Sequence, residues 1–124
     1  MAWYLAEIVL EVSIEDDPRN VVHVNTHLIE GDSPETAYVK ATTLGMASEQ
    51  EYLNTADRIV RILFRGLRQL SAVPEGLEDG AELTYEESVD VPAERLRQWS
   101  LPKEQLRVFA PPTDRSGAPN YMPR

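Results

Sequence analysis

Residues 58–70 read Arg58-Ile59-Val60-Arg61-Ile62-Leu63-Phe64-Arg65-Gly66-Leu67-Arg68-Gln69-Leu70, and their conformation decides the fold. As a helix beginning at Thr55, the segment spaces its four arginines by 3, 4 and 3 and turns Ile59, Ile62, Leu63, Leu67 and Leu70 to a core. As a strand, it puts Val60, Ile62, Phe64 and Leu70 on one face and splits the arginines between faces. Periodicity prefers the helix. The β-branched and aromatic residues prefer the strand. Gly66 is unwelcome in the interior of either.

The flanking sequence is clearer. Trp3 to Ile14 alternates, with Tyr4, Ala6, Ile8, Leu10, Val12 and Ile14 on one face and Glu7, Glu11 and Ser13 on the other. Glu15 to Asn20 reads as a polar loop, and Val21 to Ile29 as a second strand with Val22, Val24, Thr26 and Leu28 as its apolar face. A hairpin that pairs 14 with 22, 10 with 26 and 8 with 28 brings both apolar sets together. Ser33-Pro34-Glu35 is a helix start: a capping hydroxyl, a proline at the first helical position and an acid at the positive end of the dipole. Ala37, Ala41 and Leu44 give a thin apolar stripe, and Gly45 is expected to end the helix in the left-handed conformation. Beyond Asp79-Gly80, alternation over 81–89 predicts a half-exposed strand. Pro92 then opens a helix carrying Leu96 and Trp99 that Pro102 closes. Residues 111–124 hold four prolines and no periodicity, so they predict a loose arm.

Composition excludes several functions. The 124 residues suffice for one domain. No apolar run is long enough to span a membrane. With no cysteine, there is no disulfide frame, thiolate nucleophile or zinc-thiolate site, and a reducing cytoplasm is expected. Met1-Ala2-Trp3-Tyr4 does not resemble a signal peptide. Twenty-one acids against 12 Lys plus Arg give a charge of −9, which argues against a phosphate-backbone binder, and no nucleic-acid partner is expected. Glycine-rich phosphate loops are absent.

The acids cluster. Glu75, Glu78, Asp79, Glu82, Glu86, Glu87, Asp90 and Glu94 follow the block Arg58, Arg61, Arg65 and Arg68. The two blocks are expected to lie side by side and neutralise each other; otherwise the acids form a patch for a basic partner. His23 and His27, in the register above, share a face with Glu7 and Glu11. A spacing of four along a strand separates the imidazoles by roughly 13 Å, so no metal or other cofactor is expected. Ser33 is accounted for by capping, and no catalytic set emerges. Trp3, Leu5 and Val9 lie opposite the main apolar face. They are expected to be covered by the C-terminal helix or to meet a partner.

Taken together, Trp3-Tyr4, Leu28-Ile29-Glu30, Ser33, Glu35, Ala37, Lys40-Ala41, Gly45, Glu51-Tyr52-Leu53-Asn54, Phe64-Arg65-Gly66-Leu67 and Leu77 to Tyr85 resemble a bacterial family known as domain of unknown function 4288, over about residues 1–87. The resemblance implies no activity and no catalytic residue. It implies a short strand at 51–54 and a long strand after it that pairs with the strand following Asp79-Gly80, which resolves residues 58–72 as a strand. The expected fold is α+β: an antiparallel sheet of four or five strands with one helix packed on it, in a ββαβββ-like order, then a C-terminal helix. Residues 1–110 form the domain and 111–124 a flexible tail. The expected role is a small acidic cytoplasmic protein, non-enzymatic, that contacts another protein or itself as a homodimer and does not engage a membrane. Its candidate partner surface is Trp3, Leu5, Val9, Glu78, Asp79, Glu82, Glu86 and Glu87. The alternatives are an acidic inhibitor or immunity-type protein that masks a basic site, and a small hydrolase or ligand-binding protein with a carboxylate-lined cleft.

Overall fold

A computed structural model describes residues 1–124. Four strands, β1 (Ala2–Ile14), β2 (Asp17–Gly31), β3 (Gln50–Leu53) and β4 (Ile59–Ala72), form one antiparallel sheet in the order β2-β1-β4-β3. One helix, α1 (Pro34–Ala47), packs on it. The α+β class is as expected. The chain divides into two compact units, Met1–Thr84 with Pro119–Arg124, and Tyr85–Ala118. The second holds α2 (Ala93–Gln98), in which no residue is buried, and a 3-10 turn at Lys103–Gln105.

Residues 59–72 are strand. Their helical spacing has a physical origin in two β-bulges. The β1–β4 register shifts between Val9 and Leu10 and again between Glu7 and Ile8, which leaves Arg65 and Arg68 as extra residues in β4. Gly66, at φ 117°, sits beside the first bulge. Val60, Ile62, Phe64, Leu67 and Leu70 then all face the helix side, although their separations lengthen from two residues to three. Those threes imitate a helix.

The hairpin register differs from the expected one. A two-residue turn, Glu15-Asp16, joins Ile14 to Asp17, with Asp16 at φ 64°. Asp tolerates this left-handed geometry, and Pro18 needs no ladder hydrogen bond on an edge strand. The loop expected over 15–20 is thus mostly strand. Tyr4 pairs with Ile29, Ala6 with His27, Ile8 with Asn25, Leu10 with His23 and Val12 with Val21. This is an odd-residue slip from the expected pairing, so every β2 side chain changes face. His23 and His27 lie on the helix side, away from Glu7 and Glu11. Val22, Val24, Thr26 and Leu28 lie on the opposite, outer face.

The helix starts as expected. Ser33 Oγ accepts from Thr36 N–H at 3.1 Å, and Pro34 opens the first turn. Gly45 does not end it. The helix continues to Ala47, and Gly45 is a buried point of closest approach, where a Cβ would lie 2.4 Å from the Phe64 ring. Two apolar clusters share the inner face. Tyr4, Ala6, Ile29, Ala37 and Ala41 pack beneath α1 with Leu44, Leu67 and Leu70. Val12, Ile14 and Val60 pack with Val21, Tyr52, Ile62 and Tyr121.

Residues 81–88 form no strand. β1 takes one flank of β4 along its length and β3 takes the other only at Ile59–Ile62, and the pairing implied for residues 81–88 does not form on the flank that is left. The four arginines do not serve as its counter-charge. Arg58 pairs with Asp16, Arg61 with Glu51, Arg65 with Glu11 and Arg68 with Glu7.

Gly45→Ala should destabilise the protein by about 1–3 kcal/mol in denaturant unfolding, because the added methyl displaces Phe64. Combined with Phe64→Leu it should cost less than the two single changes summed. An unchanged midpoint for Gly45→Ala would show that the contact is not tight.

Candidate interaction surface

The outer face of the sheet is apolar along its centre. On β1 it presents Trp3, Leu5 and Val9. Leu5 stands opposite Leu28 and Val9 opposite Val24, while Val22 and Leu63 flank Glu11 from β2 and β4. Leu5 is buried and Trp3, Val9, Val24 and Leu63 are half-buried, but Val22 and Leu28 remain 51% and 43% exposed. The two bulged arginines lie along this strip, Arg65 Nε donating to Glu11 Oε1 at 2.9 Å and Arg68 Nε to Glu7 Oε1 at 2.7 Å. Asn20 Nδ2 also donates to Glu11, at 2.7 Å. The Asn20 bond first, and the Arg65 bond second, hold the Glu11 carboxyl below its usual pKa. The expected position of Trp3, Leu5 and Val9, opposite the main apolar face, is thus what the sheet shows. The apolar face of β2 joins them there, and not on the helix side where the expected pairing puts it. Trp3, Leu5 and Val9 were themselves the signal, since outward apolar residues on β1 call for outward apolar neighbours on β2.

β2 is an edge strand, and its main chain is open on one side. Val73 N–H donates to Trp3 O and Glu15 N–H to Ile59 O, each at 2.9 Å, so odd-numbered residues of β1 turn their polar groups to β4 and even-numbered ones to β2. Their partners Val21, His23, Asn25, His27 and Ile29 turn inward to β1. Val22, Val24, Thr26 and Leu28 therefore turn their N–H and C=O groups to the free edge. Both ends of that edge are blunted. Pro18 lies at one, and at the other Lys40 Nζ donates to Glu30 O at 2.5 Å. Between them Val21 to Ile29 contains no Asp, Glu, Lys or Arg. The opposite edge is occupied at the end of β3: Thr55 N–H donates to Met122 O and Arg124 N–H to Leu53 O, each at 3.1 Å, and Asn54 bridges to Pro123, while β4 beyond Ile62 has no strand on that side.

That occupancy corrects the picture of a loose arm, because its last residues are held on the sheet. Asn54, 1% exposed, donates from Nδ2 to Asn120 O at 2.8 Å, and its Oδ1 accepts from Ala56 and Arg58 N–H, each at 2.9 Å. One side chain thereby shapes the β3–β4 turn and clamps the tail. Tyr52 donates its hydroxyl to Tyr121 O, and the Tyr121 ring meets His23 edge-on at 5.4 Å. A groove of about 480 Å³ runs beside these residues, lined also by Leu10, Val12 and Ile62. No carboxylate lines it, so His23 there has no acid to orient it. Burial, and secondarily Tyr121, raises the Tyr52 pKa.

The acidic candidates are all exposed. Glu78, Asp79 and Glu82 follow β4 in the first unit, and Glu86 and Glu87 belong to the second. Leu96 and Trp99, expected to cover Trp3, are 55% and 57% exposed. No helix is long and apolar enough to cross a membrane. Residues 3–85 match the family described as Domain of unknown function (DUF4288), and the chain belongs to it. No curated protein and no solved structure matches.

Asn54→Ala should cost about 1–3 kcal/mol, since it strands buried amide groups, and should speed proteolysis of residues 119–124. Equal cleavage rates would mean that the clamp does not hold the tail. Because the Tyr52 pKa is raised on folding, the tail contact contributes fully below the unfolded value of about 10 and is lost as pH rises through the folded one. Tyrosinate absorbance should show one late-titrating group that Tyr52→Phe removes.

Proposed function

We propose that this DUF4288 member is a non-enzymatic accessory module that binds another protein by accepting a strand on the free edge of β2. One observation carries the reading: Val21 to Ile29, nine residues without Asp, Glu, Lys or Arg at the centre of a 15-residue edge strand. Edge strands are ordinarily blunted by charge, proline or cover to prevent pairing. Here such devices stand only at the ends, at Pro18 and Lys40. An added strand would take its affinity from the main-chain groups of Val22, Val24, Thr26 and Leu28 and its selectivity from the outer apolar strip. The setting proposed is the bacterial cytoplasm, in keeping with a chain that has no cysteine.

A second reading has its own support. With Arg58, Arg61 and Arg65 engaged by carboxylates of the sheet and its turn, the exposed acids Glu78, Asp79, Glu82, Glu86 and Glu87 remain available to mask a basic site. The hydrolase alternative has less, for want of a carboxylate in the groove under the tail.

Salt separates the two. A complex captured with the full chain should survive a rise from about 0.1 to 1 M salt if it forms by strand addition, and should weaken steeply if the acids carry it. Thr26→Pro, which deletes an outward N–H without touching the β1 ladder, should abolish strand addition. A partner retained by Thr26→Pro and lost in salt would overturn the edge-strand reading in favour of the acidic one.

A further inference from the structure

We propose that the strand accepted by β2 is β2 of a second copy, antiparallel, on a two-fold axis through Asn25. The inference rests on the reading of β2 as a docking edge and names its occupant.

Three observations select this pairing. The first is hydrogen-bond parity. Only even-numbered residues present main-chain groups to the edge, so a second copy must set even residues against even ones. An axis through Asn25 does so: Val24 meets Thr26 and Val22 meets Leu28 of the second copy, for about eight main-chain hydrogen bonds. The second is side-chain match. Val22 and Leu28 are the two exposed apolar residues of the edge, and this register sets each against the other. An axis through Val24 sets Leu28 against Asn20, and one through Thr26 sets Val22 against Glu30. The third is length. The run Val21 to Ile29, without Asp, Glu, Lys or Arg, is centred on Asn25, and the blunted ends at Pro18 and Lys40 lie outside it on both sides. A two-fold axis needs one patch to be complementary to itself, and this segment is. The charge of −9 opposes self-association in general, but no Asp or Glu sits within Val21 to Ile29, and the charge is screened at ordinary salt. The result is a sheet continuous across two copies, with the outer apolar strips of both joined along one face.

The test uses the full chain, which has no native cysteine. On the axis, Asn25 faces its own copy across a non-hydrogen-bonded site, with Cα atoms roughly 4.5 Å apart, within disulfide range. Asn25→Cys should therefore form a disulfide dimer under mild oxidation at least about tenfold faster than Thr43→Cys, which lies on an exposed face of α1. Sedimentation at about 10–100 µM should give a dimer mass for the unmodified chain. Thr26→Pro should weaken that dimer at least about tenfold with circular dichroism unchanged. Val22→Lys, which leaves the backbone intact, should do the same and stands in if the proline variant fails to fold. A monomer throughout this range, a dimer indifferent to both variants, or equal cross-linking of the two cysteine variants would overturn self-pairing. If the chain is monomeric but a salt-resistant complex with another protein is lost in Thr26→Pro, the docking edge stands and the second copy is not its occupant.

Discussion

The two-residue turn at Glu15-Asp16 sets the character of both faces of the sheet. With Asp16 in the left-handed region, Ile14 meets Asp17, and every pairing of β1 with β2 up to Ala2–Gly31 follows after one local shift. The parity of that register sends His23, Asn25 and His27 toward the helix side and Val22, Val24 and Leu28 outward. A turn of the other parity would exchange them. The outer strip, the polar rim of the groove and the main-chain groups left at the free edge are all consequences of one tight turn.

The inner face is covered by two unlike elements, because α1 is too short for strands of 13–15 residues. It covers the end of the sheet around Tyr4, Ala6 and Ile29. Its own stripe is thin, so contact depends on small residues, Ala37, Ala41 and Gly45, that let it approach the strands closely. The other end, around Val12, Ile14 and Val60, is completed by Tyr121. A tail residue does there what a second helix does in a larger α+β protein.

How far the sequence was readable follows from which interactions are local. The cap at Ser33 and Pro34, the alternation of β1 and the outward set Trp3, Leu5 and Val9 depend on neighbours in the chain, and all were legible. Residues 59–72 were legible as strand only through family resemblance, because bulges at Arg65 and Arg68 stretch an alternating pattern into threes. The β2 register is hidden because Asp-Pro suggests a longer loop and because Val22, Val24 and Leu28 have the composition of a core face. They make an apolar face, but the outer one. The arginine block stands next in sequence to the acids that follow it, yet its pairs are Asp16, Glu51, Glu11 and Glu7, where sequence distance is no guide. Gly45 looked like a helix terminator because a glycine near a helix end usually is one; nothing local announces that Phe64 lies above it.

The bond between Asn54 and Asn120 joins residues 66 positions apart. During synthesis, β1 to β4 and α1 are all available before this contact can exist, so the second half of the core stays uncapped until residues 120–124 emerge. Until then Val12, Val60 and Tyr52 lack Tyr121 above them, and the edge of β3 is as open as that of β2. The tail thus closes the end of β3 only after the rest of the sheet can form. The closing contact of the core is therefore among the last that the chain can make.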